Sequence, residues 1–293
     1  MSYRNVIIES DAKLSLKDER LMIERGAAVH YVPVEDIDIL LIESRQSVLT
    51  AALLTKCAEH GAAVFFCDER HIPSCVLLPF AGHSRSLEVA RAQLGLSEPS
   101  KKRLWQQLVQ QKIENQAEVL KLLGDEVGAG KLYGMAKTVA SGDSGNVEAV
   151  AAAYYFPRLF GASFTRDNDD DTRNAALNYG YAIMRGAVAR SVAVHGLLPA
   201  VGVHHHSVLN PFNLADDLIE PLRPIVDLFV ATEAADTLSP SVKRALVGLL
   251  SADVLLGGKR YAVSYAAQRL AESLLSKELK LPKLLPLSQH EYE

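Results

Sequence analysis

Pro73-Ser74-Cys75-Val76-Leu77-Leu78-Pro79-Phe80-Ala81-Gly82-His83-Ser84-Arg85-Ser86 puts two prolines, a glycine and a polar run into one short stretch. Proline removes a backbone donor and glycine weakens helix and strand alike, so the stretch divides the chain. Before it, Asn5 to Ile8, Lys13 to Leu16, Leu21 to Glu24, Ala28 to Val32 and Ile37 to Leu41 alternate β-favouring runs with polar turns. After it, Lys101 to Leu123 carries Leu104, Leu108, Ile113, Ala117 and Leu120 at helical spacing. The expected fold is a two-domain α+β chain. A β-rich domain covers residues 1–80, a linker residues 81–90 and a larger all-α domain residues 91–293.

Within the first domain, Ser47 to Glu59 reads as a helix with Ser47 as its cap and Leu49, Leu53 and Cys57 on one face. Gly61 stops it, and Ala62 to Cys67 returns to strand. In the second, Trp105 reads as a packing residue. The run Asp167-Asn168-Asp169-Asp170-Asp171 lacks the glycine and distal glutamate of a calcium loop and reads as a turn capping a helix that begins near Thr172. Leu177, Tyr181, Met184 and Val188 make that helix's core stripe. Ser239 to Leu250 and Tyr261 to Leu275 read as further helices, and Lys280 to Glu293 as a loosely held end.

With 48% hydrophobic and 23% charged residues, 293 residues suffice for two cores of ordinary soluble composition. The opening Met1-Ser2-Tyr3-Arg4-Asn5 lacks the apolar core of a signal peptide, and the longest apolar runs are interrupted, so no membrane span and a cytoplasmic location are expected. Cys57, Cys67 and Cys75 are odd in number and form no Cys-x-x-Cys pair, which favours free thiols. Their spacing with His60 and His71 matches no standard zinc finger. A net charge of −4 excludes a uniformly basic nucleic-acid-binding surface.

Gly202 to Arg223 concentrates metal-ligand chemistry: His204, His205 and His206, then Asp216, Asp217 and Glu220. Imidazole and carboxylate are the donors that hold a divalent ion for phosphate chemistry. On a helix starting near Asn213, Asp217 and Glu220 share a face, whereas Asp216 points about 100° away. The same residues also suit an ordinary helix start, and in any regular element at most one or two of three consecutive histidines can serve one ion. Pro199 and Gly202 lead His205 into a loop. Pro221 ends or kinks the helix directly after Glu220, which would leave that carboxylate accessible. Far upstream, Glu148 interrupts an apolar, alanine-rich helical run, with Ala152 and Tyr155 on its face; a charge there is costly unless paired or metal-bound.

These motifs resemble the CRISPR-associated integrase family that inserts new spacers into the CRISPR array, most closely its type II form. The family carries a glutamate on an alanine- and aromatic-rich helix, a Gly-hydrophobic-x-His turn and an acidic Asp-Leu-x-Glu helix. Here those are Glu148, Gly202 to His205, and Asp217-Leu218-Ile219-Glu220. The segment from Arg166 to Arg185, the opening Arg4-Asn5-Val6-Ile7-Ile8 and the run Ala63 to Asp68 also fit it. The resemblance implies an all-helical catalytic domain in which Glu148, His205 and Glu220 bind Mg²⁺ or Mn²⁺, with Asp217 as a further ligand or neighbouring base. It implies attack of a DNA 3′-hydroxyl on phosphodiesters, joining prespacer DNA to a CRISPR repeat. It implies a homodimer, formed through the β-rich domain, that works with a small ferredoxin-like CRISPR adaptation protein and other type II CRISPR proteins.

Double-stranded DNA needs a local basic track. Arg85, Arg91, Lys101, Lys102, Arg103 and Lys112 supply one, with Lys259 and Arg260 later, and each equally suits a solvated helix face. Asn178, Tyr181 and Arg185 lie beside a packed stripe, where polar groups orient metal ligands or phosphate. A plain metal-dependent nuclease, with water in place of the 3′-hydroxyl, would use the same ligands. A non-catalytic nucleic-acid scaffold would not need them, and a small-molecule metal hydrolase around His204 to His206 would need a deep pocket.

Overall fold

The alternating runs of the first part fold into β1 (Arg4–Ile8), β2 (Lys13–Lys17), β3 (Arg20–Arg25), β4 (Ala28–Pro33) and β5 (Ile37–Ile42). They are followed by β6 (Val48–Leu49), helix α1 (Ala51–Glu59), β7 (Ala63–Cys67) and β8 (Pro73–Leu77). The computed structural model describes residues 4–69, 73–77, 83–168, 170–233 and 238–287. Met1, His71, Pro79, Gly82, Asp169 and residues 288–293, which entered the sequence argument, lie outside the described residues.

Two sheets result. One runs β4-β3-β2-β6, an antiparallel meander with β6 added parallel to β2; the other runs β1-β5-β7-β8, parallel except at β8. Parallel strands need cover on both faces. Accordingly every residue of β5 is buried. Leu40, Ile42 and Val64 face Leu14, Leu21, Leu53 and Cys57 in a small core, while Ile39, Leu41, Ala63 and Phe65 join the core of the helical part.

The first helix starts later than its sequence suggested. Thr50, not Ser47, is the cap, its side chain accepting from the Leu53 N–H. Ser47 Oγ instead accepts from Ala12 N at 3.2 Å, and Val48–Leu49 pair with β2. Cross-strand pairing therefore takes the residues that local capping signals assigned to the helix.

The remainder is mostly helical: α2 (Ser86–Leu94), α3 (Glu98–Leu122), α4 (Glu126–Ala136), α5 (Val147–Phe160), α6 (Thr172–Val194), α7 (Asn213–Leu218), α8 (Arg223–Thr232), α9 (Pro240–Gly248) and α10 (Val263–Ser273). This matches the expected class, a β-rich region followed by a helical one. Asp171 caps α6 by accepting from Arg173 N, as the acidic run suggested. The all-helical expectation omits a three-stranded sheet of β9 (Asp253–Leu256), β10 (Lys259–Ala262) and β11 (Lys283–Leu284). Gly257 and Gly258, both at positive φ, make the two-residue turn that this hairpin needs, so α10 begins at Val263 rather than Tyr261.

Nor are residues 280–287 loose. Asn115 on α3 donates to the carbonyls of Pro221 and Pro282 and accepts from Leu284 N, which seats β11 against β9. The N-terminal sheet meets α6 closely. A Cβ at Gly186 would sit 1.8 Å from Phe65 Cε1, so only glycine lets that ring rest on the helix.

Candidate active site

Glu148 occupies the first turn of α5. Asn146 precedes the helix in the left-handed region, and Asp143 caps it, accepting from Val147 N at 2.8 Å and Glu148 N at 3.0 Å. Glu220 lies beyond α7, at the start of the 3-10 turn Glu220–Leu222 that leads into α8. The helix thus ends at Leu218, before Glu220 rather than directly after it, so Glu220 and Asp217 do not share a helix face, and the break does not expose the glutamate. Its side chain is 5% exposed, because Arg223 and Lys112 close over it.

Lys112 on α3 is the residue that joins the two carboxylates. Its Nζ donates to Glu148 Oε1 at 2.5 Å and lies 2.5 Å from Glu220 Oε2, an ion contact without hydrogen-bond alignment. Sequence placed Lys112 in a solvated basic track; its side chain is 11% exposed and lies inside the site. Helix periodicity could not reveal this, since it depends on which helices pack against α3. Arg223 Nε lies 2.9 Å from Glu220 Oε1 and its guanidinium covers the Tyr181 ring. Burial raises the Glu220 carboxyl, but Lys112 and Arg223 outweigh it and hold the group below its ordinary value. Burial likewise opposes the Lys112 ammonium, and Glu220 and Glu148 reverse that effect.

Asp217 is fully buried, and its hydrogen bonds all go to the histidine loop. Oδ2 accepts from Val203 N at 2.6 Å and His204 N at 3.1 Å; Oδ1 accepts from His205 N at 3.1 Å and pairs with His205 Nδ1 at 2.7 Å. All its acceptor capacity is used in shaping the histidine loop. The reading of Asp217 as a ligand therefore gives way to that of an orienting group. An ionised carboxylate only accepts, so in the neutral imidazole this contact places the proton on His205 Nδ1 and leaves Nε2 its lone pair. The same hydrogen bond raises the His205 pKa, whereas burial lowers that of His204. Gly202 makes room for this arrangement: a Cβ there would lie 2.3 Å from the His205 carbonyl and 2.7 Å from Asp217 Oδ2.

Three supports of this loop were not foreseen. Trp105 stacks on His204 at 4.1 Å and 3°. Gln93 on α2, almost fully buried, donates to the carbonyls of Leu198 and Val201 and accepts from Leu198 N. Asn213 donates to Ala200 and Ser207 carbonyls. In the sequence Trp105 and Asn213 read only as a packing residue and a helix start, and the burial of Gln93 becomes visible only once the packing is known.

The remaining residues singled out are dispersed. Asn178, Tyr181 and Arg185 line one cleft with Arg166 and Arg223, but each is engaged: Asn178 accepts from Arg166, Tyr181 donates to Asp227, and Arg185 binds Asp216 and Asn210. Lys101 pairs with Glu98, Arg103 with Ser100, and Arg85 with Glu88, while Lys102 packs its stem over Gly142.

A family model described as CRISPR associated protein Cas1 matches residues 6–237. The CRISPR-associated endonuclease Cas1 of Neisseria meningitidis serogroup C (strain 8013) is 44% identical, over 100% of both chains. A Cas1 of Saccharolobus solfataricus (strain ATCC 35092 / DSM 1617 / JCM 11322 / P2) is 26% identical over 83% of this chain and 78% of its own. Two solved structures share the fold. A casposase bound to integration product superposes with TM-score 0.74 at 23% identity, covering 96% of this chain and 92% of that one. A Cas1 protein from Thermotoga maritima gives 0.71 at 15%, covering 94% and 99%. The chain belongs to the CRISPR associated protein Cas1 family.

Proposed function

We propose that this chain is a divalent-metal-dependent DNA integrase of the type II form, joining prespacer DNA to a CRISPR array by 3′-hydroxyl attack on phosphodiesters. The observation that carries the reading is the convergence of Glu148 and Glu220, from distant parts of the chain, on one cation position. As placed, no three His, Cys, Asp or Glu side chains among the described residues are grouped to hold an ion. The residues nevertheless fit one: the two carboxylates already share a cation, and Asp217 keeps His205 Nε2 free to donate. Bound by Glu148, His205 and Glu220, Mg²⁺ or Mn²⁺ would neutralise phosphodiester charge and favour ionisation of the attacking hydroxyl.

The chain's own part is positional. Asp143 fixes the start of α5 and hence Glu148, Asn115 holds the Pro221 carbonyl beside Glu220, and Asp217 sets the tautomer of His205. Arg166, Asn178, Arg185 and the N-terminal lysines of α3 would serve the DNA backbone by exchanging their present partners within the chain for phosphate. One relative is named an endonuclease, and the casposase is described as bound to integration product; both support transfer chemistry over a scaffold role. A structural neighbour at TM-score 0.68 and 18% identity, of which this chain covers 35%, is described as a Cas6-RT-Cas1–Cas2 complex, which supports Cas2 as the kind of partner this chain takes. No described helix is long and apolar enough to cross a membrane.

The deciding experiment incubates a labelled prespacer with a repeat-bearing plasmid, the companion protein and Mn²⁺, beside a matched prespacer with blocked 3′ ends. The expected result is joined product from the free 3′-hydroxyl alone. Identical products from both substrates would make water the nucleophile and the protein a plain nuclease. Tight binding without reaction of either would favour the scaffold.

A further inference from the structure

Lys112 holds the same oxygens that an ion would need. Glu220 Oε1 lies 2.9 Å from Arg223 Nε and Oε2 lies 2.5 Å from the Lys112 ammonium, both ion contacts without hydrogen-bond alignment; Glu148 Oε1 accepts from that same ammonium. The two contacts put Glu148 Oε1 and Glu220 Oε2 no more than twice 2.5 Å apart. Two ionised carboxylates so close, one of them almost excluded from solvent, repel each other strongly unless a cation lies between them. In the protein by itself that cation is Lys112, delivered from the middle of α3 between the buried neighbours Gln111 and Ile113. A divalent ion binds carboxylate oxygen at about 2.0–2.6 Å. An ion on these oxygens and an ammonium still bound to them would therefore be near neighbours of like charge.

Resting on the metal reading above, we propose that Lys112 is a built-in competitor for the divalent ion: it occupies the cation position between Glu148 and Glu220, and the ion takes those carboxylates only as the lysine leaves them. The lysine keeps the empty pair from splaying apart, and it makes metal binding weaker than the ligand set alone would give. Lys112 is thus a positioning residue, acting through the two carboxylates.

The test measures Mn²⁺ affinity of the full chain, by electron paramagnetic resonance of free Mn²⁺ and by quenching of Trp105, the only tryptophan, which stacks on His204 beside His205. Lys112→Met should bind Mn²⁺ at least about tenfold more tightly than the unmodified protein, because the competing charge is gone. Mn²⁺ should also raise its melting temperature by more. Equal or weaker binding overturns the competitor while leaving the metal reading intact. No Mn²⁺ binding by either protein overturns both. Should Lys112→Met fail to fold, Lys112→Gln gives the same comparison with a neutral side chain that still hydrogen-bonds. In the unmodified protein, amine acylation mapped by mass spectrometry should label Lys112 more readily when Mg²⁺ is bound; unchanged labelling at saturating Mg²⁺ overturns the proposal.

Discussion

At the scale of single residues, Glu148 and Asp217 are both carboxylates beside the same histidine loop, yet their environments give them different work. Glu148 is half-exposed and directs Oε1 at a cation, whereas Asp217 is buried and spends both oxygens on three backbone N–H groups and one imidazole. Glu148→Ala leaves Lys112 paired with Glu220, so the fold should persist. It should abolish strand joining while changing DNA affinity by no more than about twofold, since backbone attraction comes from basic groups elsewhere. Gel analysis of joining alongside fluorescence anisotropy reads both, and a parallel loss of binding would refute it. Asp217→Asn puts an amide donor where acceptors are needed and removes the partner that keeps the proton on His205 Nδ1. The expected loss is about 10–100-fold in Mn²⁺ affinity, the usual effect of removing such a partner. Unchanged affinity in a Mn²⁺ titration would show that His205 does not depend on Asp217 for its orientation.

At the scale of elements, what sequence disclosed and what it hid follow from the range of the interactions. Period-2 runs gave the N-terminal strands, and the stripe of Leu177, Tyr181, Met184 and Val188 gave α6, because both patterns are local. Glu148 and Glu220 stood out as candidates because each departs from its surroundings, an acid in an alanine-rich helix and an acid before proline, whereas His205 was singled out among three consecutive histidines by the family resemblance. The bridge through Lys112, the Ser47 to Thr50 shift and the β9–β11 pairing were not, since each depends on partners far away in the chain. A buried cluster shows the same dependence. Asp227 of α8 lies fully buried and accepts from Tyr181 of α6, with Tyr155 of α5 also buried beside it. Burial raises its pKa from 3.8 to about 6, against the opposing pull of the two phenols. The folded protein therefore holds this proton more tightly than the unfolded chain. The resulting stability is complete below about pH 4 and is lost as pH rises through about 6, a change of about 3 kcal/mol. Asp227→Asn removes that titration while still accepting from Tyr181. Urea midpoints at pH 4 and pH 7 should differ by less in the variant than in the unmodified protein. An equal fall in both would place the proton elsewhere.

At the scale of the whole molecule, the β-rich and helical parts are joined by more than a linker. The sheet containing β5 and β7 has one face in its own small core and gives the other to the helical core. Around that contact, Arg190 of α6 reaches Asp38 at 2.7 Å and the Gly61 carbonyl, Lys243 pairs with Glu43 at 2.5 Å, and Arg244 pairs with Glu9 at 2.6 Å. Arg244 and Glu9 are solvent-screened and contribute little, whereas Asp38 is 6% exposed. Removing one partner of such a pair strands the other's charge in a poorly hydrated place, at a cost of about 3–5 kcal/mol. Because Asp38 sits on β5, whose neighbours serve both cores, that cost should fall on both parts at once. Calorimetry of the unmodified chain should accordingly give one cooperative transition, and Asp38→Ala should lower its midpoint by several degrees without splitting it. Two separated transitions in the unmodified protein would mean that each part holds its fold alone. A split appearing only in Asp38→Ala would mean that the Arg190 contact, rather than the shared sheet face, carries the coupling. A Gly186→Ala variant separates the two contributions further, since its added methyl has no room against Phe65 and acts on the sheet face while leaving the ion pair in place.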